Sequence, residues 1–503
     1  MKTTKLFFMA ALALMTAACS NDDNDLARQP AKAQGIPFTA TISISQSAST
    51  RALTENGTTI EATWADGEKV ALIYYAGGTP TKTDAEVTKQ ADGTATISAT
   101  LESGATNGST VTIIYPSTAA DGTTGNVKAG LLAAQDGTLA TIATNYDVRT
   151  GTGKLSISAG GATVNNGTAG TKVALTNQFA IWKLTLANDA KNLCIMADNI
   201  TIAGATLASE GKEFTVAVPA VSSKTVTIVA NDASNNCYYY SKAGVSLAAG
   251  TYYQSSPTMT ALDGDNSKPL YKITATSGVT IPAGKTVVLS GVNISSGEIV
   301  CEGSVTMILM GANTVTATDE KAAIKIGGSG TTLTITGSGS LTAQGGSGSS
   351  LDGGAGIGTD YTNNGTLSGG NIVINGGTVT ATGGDCGAGI GTGRAESLYG
   401  ASITCGDITI NGGTVIATGG LGAAGIGTGL SIEGGASNGC GAITIGTGVI
   451  SVTATKGSGS PNSIGKGDAN EGGTQTCGTI TIGGDATTYA TGVTASPFIY
   501  PAP

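Results

Sequence analysis

Ile372-Val373-Ile374-Asn375-Gly376-Gly377-Thr378-Val379-Thr380-Ala381-Thr382-Gly383-Gly384 returns almost unchanged as Ile408-Thr409-Ile410-Asn411-Gly412-Gly413-Thr414-Val415-Ile416-Ala417-Thr418-Gly419-Gly420. Looser copies begin at Leu333-Thr334-Ile335 and Ile443-Thr444-Ile445. Between them a second string, Ala355-Gly356-Ile357-Gly358-Thr359, recurs as Ala388-Gly389-Ile390-Gly391-Thr392 and Ala424-Gly425-Ile426-Gly427-Thr428, with Ser463-Ile464-Gly465-Lys466 as a worn copy. The spacing, about 36 residues, is a solenoid period. Strands this short, broken by Gly-Gly, cannot bury themselves alone. Stacked as rungs, they bury a continuous aliphatic column at roughly 1.5–3 kcal/mol per side chain. The reading is a right-handed parallel β-helix over 268–490, with less regular first rungs between Tyr271 and Ile326. The tail 491–503, containing Pro497-Phe498-Ile499-Tyr500-Pro501, reads either as a cap on the last rung or as a short donor strand.

Upstream, 36–262 changes character. Short alternating segments such as Phe38-Thr39-Ala40-Thr41-Ile42, Val70-Ala71-Leu72-Ile73-Tyr74 and Trp182-Lys183-Leu184-Thr185-Leu186 are separated by Gly, Asn, Asp and Ser turns. Period-two alternation with frequent turns predicts a β-sandwich region, long enough for two subdomains. The one weak helical stretch lies around Ala129 to Ala134. The whole chain is therefore expected to be all-β.

At the N-terminus, Lys2 and Lys5 precede an apolar run from Leu6 to Ala18, too short to span a bilayer and read as a secretion signal over 1–18. The run closes on Met15-Thr16-Ala17-Ala18-Cys19, which resembles a bacterial lipobox, with Cys19 as the acylated new N-terminus; Thr16 departs from the usual leucine. Ser20-Asn21-Asp22-Asp23-Asn24-Asp25 resembles a surface-export signal, and 19–35 reads as a flexible acidic tether.

Several landmarks in 36–262 resemble the fimbrillin-like family of surface lipoproteins, subunits and tip proteins of type V pili. They are the leading strand Ile36-Pro37-Phe38-Thr39-Ala40-Thr41, then Thr50-Arg51-Ala52, then Thr63-Trp64-Ala65-Asp66-Gly67-Glu68-Lys69-Val70. Asn177-Gln178-Phe179-Ala180-Ile181-Trp182 and Ala249-Gly250-Thr251-Tyr252-Tyr253 follow in order. The resemblance implies anchoring in the outer membrane of a Gram-negative bacterium through the Cys19 lipid, other pilus subunits as partners, cleavage after an arginine, and strand donation between subunits. Arg51 and Arg28 are the candidate cleavage sites. The Gly-Ile-Gly strings also look like those of β-helical surface proteins labelled carbohydrate-binding, which implies a glycan or host-surface ligand.

A formal charge of -9 argues against nucleic acid, because phosphates need a basic face. With no histidine, the commonest general base and neutral metal ligand are missing. Eight cysteines, less the lipidated one, leave an odd number where disulfides persist. Three residue columns emerge from the repeat. Cys405, Cys440 and Cys477 should stack, either as buried apolar filler or as a bridge between neighbours. Asn375 and Asn411 should form a structural amide ladder. Asp352 and Asp385 are either solvated turn residues or contacts for calcium, or for an acidic glycan through calcium; three thiols without histidine argue against zinc, no metal site is otherwise assigned and no cofactor is expected. Cys194 and Cys237 could pair across the sandwich.

A polysaccharide-degrading β-helix enzyme is the rival class. The repeat carries only Arg394 as arginine, and Asp352, Asp385, Asp407 and Glu433 fall at different positions in successive rungs, so no convergence of charge is expected. The expectation is a non-enzymatic surface adhesin or pilus-associated protein, with 268–503 carried outward as the contact module. A structural pilus subunit is the alternative.

Overall fold

The computed structural model describes residues 35–44, 54–56, 59–61, 64–167, 170, 172–363, 365–396, 400–484 and 492–501. Cys19, Arg28 and Arg51, with the signal and most of the tether, lie outside the described residues. The chain is all-β, in three units.

The first unit is one sheet of eight strands whose hydrogen bonding continues round its edges. Ile36–Ile44 lies between Ala95–Leu101, antiparallel, and Lys172–Asn177, parallel. Lys172–Asn177 in turn meets Arg149–Ser158, so the ring closes. Alternation sets its inside: Phe38, Ala40 and Ile42 point inward from the first strand, while Trp64 and Tyr115 meet edge to face at 5.1 Å.

The second unit is built on a long hairpin, Phe179–Ala197 with Ile200–Pro219, followed by Val221–Asn231 and Cys237–Leu247. Asp198 and Asn199 form its two-residue turn, both with positive φ (47° and 65°), the mirror-image turn that matches strand twist. One face is covered by 132–146, where Leu132 and Ile142 pack beside Leu184 and Phe214. Gln135 locks this segment down: its amide donates to the Ala217 carbonyl and accepts from the Ala217 N–H, both at 2.8 Å. The helical stretch expected at Ala129 to Ala134 is turns instead. Gly130 has a left-handed φ of 68°, and the short helical turns fall later, at Leu139–Thr141 and Ile142–Tyr146.

The third unit is a parallel β-helix from Leu270 to Ile482. Ile299, Ile324, Ile357, Ile390, Ile426 and Ile464 stand in register as one column and are completely buried. A second column runs Leu333, Ile372, Ile408, Ile443, Ile480. The rungs widen along the chain, and from Gly365 two further narrow sheets appear, one through Ala401–Cys405, Ser437–Cys440 and Thr474–Cys477. The tail returns as the strand Phe498–Tyr500, antiparallel to Ser451–Thr455, with Phe498 buried against the coil; of the two expectations for the tail, this is the cap.

The β-helix is in direct contact with the second unit. It lies side-on against the second unit: Cys194, Met196, Val229 and Cys237 of that sheet pack with Val288, Ile308 and Met310 of the early rungs. Polar contacts flank this patch, among them Asn231 Nδ2 to Ser290 Oγ at 3.1 Å and Lys272 Nζ to the Asn235 carbonyl at 2.6 Å.

Candidate functional site

The second unit meets the β-helix at the Asp198-Asn199 hairpin tip. Thr201 sits beside it, and its hydroxyl is 2.8 Å from the Thr336 hydroxyl and accepts the Gly337 N–H at 2.8 Å. One rung on, the Asn375 amide donates to the Asn199 carbonyl at 3.5 Å, and the Asn411 amide donates to Asn375 Oδ1 at 2.9 Å. The asparagine column thus runs off the β-helix and onto the neighbouring unit. It ends upward where the chain has Gly446 in place of asparagine. Each asparagine precedes a Gly-Gly turn, and the second glycines, Gly377 and Gly413, both have φ of 81°. That left-handed conformation is why the string demands glycine there.

Between hairpin, turns and the 128–134 loop lies a cleft of about 500 Å³. Its walls are Leu131, Ile200 and Ile450, and its polar lining comes from Asn375, Asn411 and Thr414 with the glycine backbones. Ile200 and Ile450 stay 48% and 39% exposed although both are large and apolar. Among the described residues, Lys128 is the one charged residue lining it. A second hollow of about 360 Å³ lies on the second unit, with Trp182, Tyr240 and Tyr253 in its wall; the Trp182 indole N–H donates to Ser255 Oγ at 3.0 Å.

The other candidates are placed as follows. Asp352 and Asp385 do not share a site. The Asp352 carboxylate is held by Arg394 at 2.5 Å, whereas Asp385 sits at a half-buried turn whose N–H donates to Ser347 Oγ at 3.0 Å. Equivalent backbone bonds, Arg394 N–H to the Gly353 carbonyl and Leu430 N–H to the Cys386 carbonyl, keep the two aspartates at matching positions of neighbouring rungs, but their side chains have different partners. Among the described residues no cluster of three His, Cys, Asp or Glu could hold a metal. Asp407 caps turns, accepting the Ala442 N–H at 2.8 Å, and the Glu433 N–H donates to the Asn470 carbonyl at 3.1 Å.

Charge does converge, contrary to expectation, around Arg394. Its guanidinium meets Asp352, Glu396 and the Ser350 carbonyl, and lies 5.8 Å from the Tyr361 ring centroid. Burial, then the Asp352 and Glu396 charges, raise the Tyr361 phenol well above its usual range. Nearby, Asp360 pairs with Lys321 and Lys325 at 3.3 and 2.6 Å. These carboxylates are engaged by cations, an arrangement suited to clamping wide rungs.

Cys194 and Cys237 are free buried thiols, not a bridge. They stand on strands of one sheet, separated by Val221–Asn231, and face the β-helix together. Cys405, Cys440 and Cys477 are register partners on successive rungs.

Such a molecule is an all-β protein in which a solenoid is braced by sheet units. A beta helix repeat family model matches residues 372–394 and 408–430. No curated protein sequence matches the chain. Among solved structures, a candidate cell adhesion protein from Bacteroides fragilis overlaps 46% of this chain and 97% of its own, at 13% identity and TM-score 0.24. A candidate cell adhesion protein from Parabacteroides distasonis overlaps 42% and 82%, at 11% identity and TM-score 0.22. The tip fimbrial protein Mfa3 from Porphyromonas gingivalis overlaps 41% and 81%, at 9% identity and TM-score 0.20. Similarity this low is a likeness in part and carries no statement about what this chain does.

Proposed function

We propose that the chain is a surface adhesin that holds an uncharged, hydroxyl-rich ligand, a neutral glycan segment, in the cleft between the hairpin tip and the Asn-Gly-Gly turns. The observation that carries this reading is the lining. Side-chain amides, hydroxyls and glycine backbone groups offer donors and acceptors without net charge, beside the exposed apolar faces of Ile200 and Ile450. Among the described residues a phosphate or an acidic peptide would find only Lys128 there, whereas sugar rings present hydroxyls and C–H faces together. The volume lies within the range of small-molecule sites. The lipid anchor at Cys19 and a location on the outer membrane belong to the same reading, and no catalytic step is assigned.

The test is glycan-array binding by the full chain, with and without calcium. Ile200→Glu places a charge at the mouth on an exposed position, so folding should survive while binding falls by at least about tenfold. Unchanged binding by that variant would remove the cleft from the account, and no binding by the parent chain to any neutral glycan would remove the ligand class.

A second reading, a subunit assembled by strand exchange, is favoured by one observation. Ile36–Ile44 is hydrogen-bonded on both sides and buries Phe38 and Ile42, so removal of this strand by cleavage at Arg51 would leave an apolar slot between two strand edges. That reading requires a surface form starting after Arg51, or after Arg28 for a shorter trim, which N-terminal sequencing detects.

A further inference from the structure

We propose that Cys440 and Cys477 are a disulfide site, a bond between two rungs that staples the outermost coil to the solenoid, while Cys405 beneath them stays a thiol. The two residues are partners on parallel strands. Neighbouring strands about 4.8 Å apart lie inside the Cα window for disulfides. Their Sγ atoms are 2.7 Å apart, closer than unbonded sulfurs rest and not far beyond a bond of about 2.05 Å. Cys405 is equally in register with Cys440, and Cys405 and Cys477 each lie near a carbonyl of the preceding rung, Gly370 at 3.7 Å and Gly441 at 3.8 Å, but it is Cys477 whose sulfur also meets that of Cys440. Register alone would allow either bridge; the close approach of the two sulfurs selects one.

Access and chemistry select the same pair. Cys405 and Cys440 are buried, whereas Cys477 is half-buried and open to a reagent. The Cys440 S–H donating to Cys477, with the Lys466 charge nearby, holds the Cys477 thiol below its ordinary range despite partial burial. Burial pushes Cys405 up to about 12. Cys477 is therefore the thiolate that reacts first. It attacks a low-molecular-weight disulfide, whose S–S bond breaks; one thiol leaves and a mixed disulfide forms on Cys477. Cys440 then loses its S–H proton to water and attacks the Cys477 sulfur. The second thiol leaves, so two cysteines are oxidised while one reagent disulfide is reduced to two thiols.

The position gives the bond a task. Thr474–Cys477 is the last strand of its sheet, and the tail strand caps a different face, over Ser451–Thr455. Terminal coils fray first in solenoids, and an exposed edge invites pairing with other chains.

The full-length protein, incubated with oxidised glutathione, denatured, alkylated and digested, should give a Cys440–Cys477 linked peptide that disappears on reduction. Cys405, Cys194, Cys237, Cys301 and Cys386 should be alkylated throughout. Cys405→Ser should keep the link and Cys477→Ser lose it. Alkylation of both Cys440 and Cys477 without reductant would overturn the proposal, as would a link containing Cys405 or a stable glutathione adduct on Cys477. The parent-chain peptide map decides the matter even if a serine variant does not fold.

Discussion

A single hydrogen atom in place of a methyl group lets neighbouring coils touch at the Gly-Ile-Gly strings. Gly358, Gly391 and Gly427 have φ of 150°, 137° and 134°, and a Cβ on each would strike the carbonyl oxygen of Gly391, Gly427 and Gly465 respectively. Gly391→Ala should therefore lower unfolding stability by roughly 2–4 kcal/mol. Gly459→Ala, where a Cβ would come no nearer any neighbour than 4.0 Å, from the Asp468 carboxylate, should cost only the backbone strain of about 1 kcal/mol; denaturant titration distinguishes them. Glu298 offers a second test. Burial, then the Asp360 charge, raises its carboxyl pKa, and its Oε2 has no hydrogen-bond partner. The folded state thus holds this proton more tightly than the unfolded chain. Glu298's unfavourable contribution is absent below the ordinary glutamate range and grows as pH rises toward the raised value. Glu298→Gln should raise the melting temperature at pH 7 and lose that advantage below pH 4, as thermal scans across pH would show. The stacked glycines were readable from the sequence because each rung repeats the same collision. Arg394 was not: its partner Asp352 lies a full rung back, and no period links a residue that occurs once.

At the scale of elements, the tail and the hairpin tip do comparable work at two places on the solenoid. Phe498 closes the last rung's sheet from outside the repeat, and Phe498→Ala should cost about 3 kcal/mol and speed proteolysis of the final coils. The strings announced the rungs, since Ile-Thr-Ile and Gly-Ile-Gly recur at fixed distance. The tail left two readings open because three residues between prolines carry no period. The displaced helix has a similar cause: Ala129 to Ala134 is apolar enough to suggest one, but Gly130 takes a left-handed φ and abuts Ile450.

Across the whole molecule, the side-on packing of β-helix and second unit was the feature least visible beforehand, although a sign of it was present. Val287-Val288-Leu289 and Met307-Ile308-Leu309-Met310 are apolar without alternation, the mark of strands covered on both faces. Val287, Leu289, Met307 and Leu309 fill the coil, while Val288, Ile308 and Met310 meet the neighbouring sheet. Residues 268–503 produced alone should expose those three side chains and aggregate, and Ile308→Ser with Met310→Ser should restore solubility to the fragment; light scattering reads both outcomes.

The strings at 372–394 and 408–430 answer one another almost residue for residue. Recombination between the DNA segments encoding them would add or delete one coil in frame, and the neighbours would accept the newcomer because it offers the same two faces. Reach beyond the bracing sheets then becomes an inherited setting, adjustable in steps of about 4.8 Å without redesign of either end.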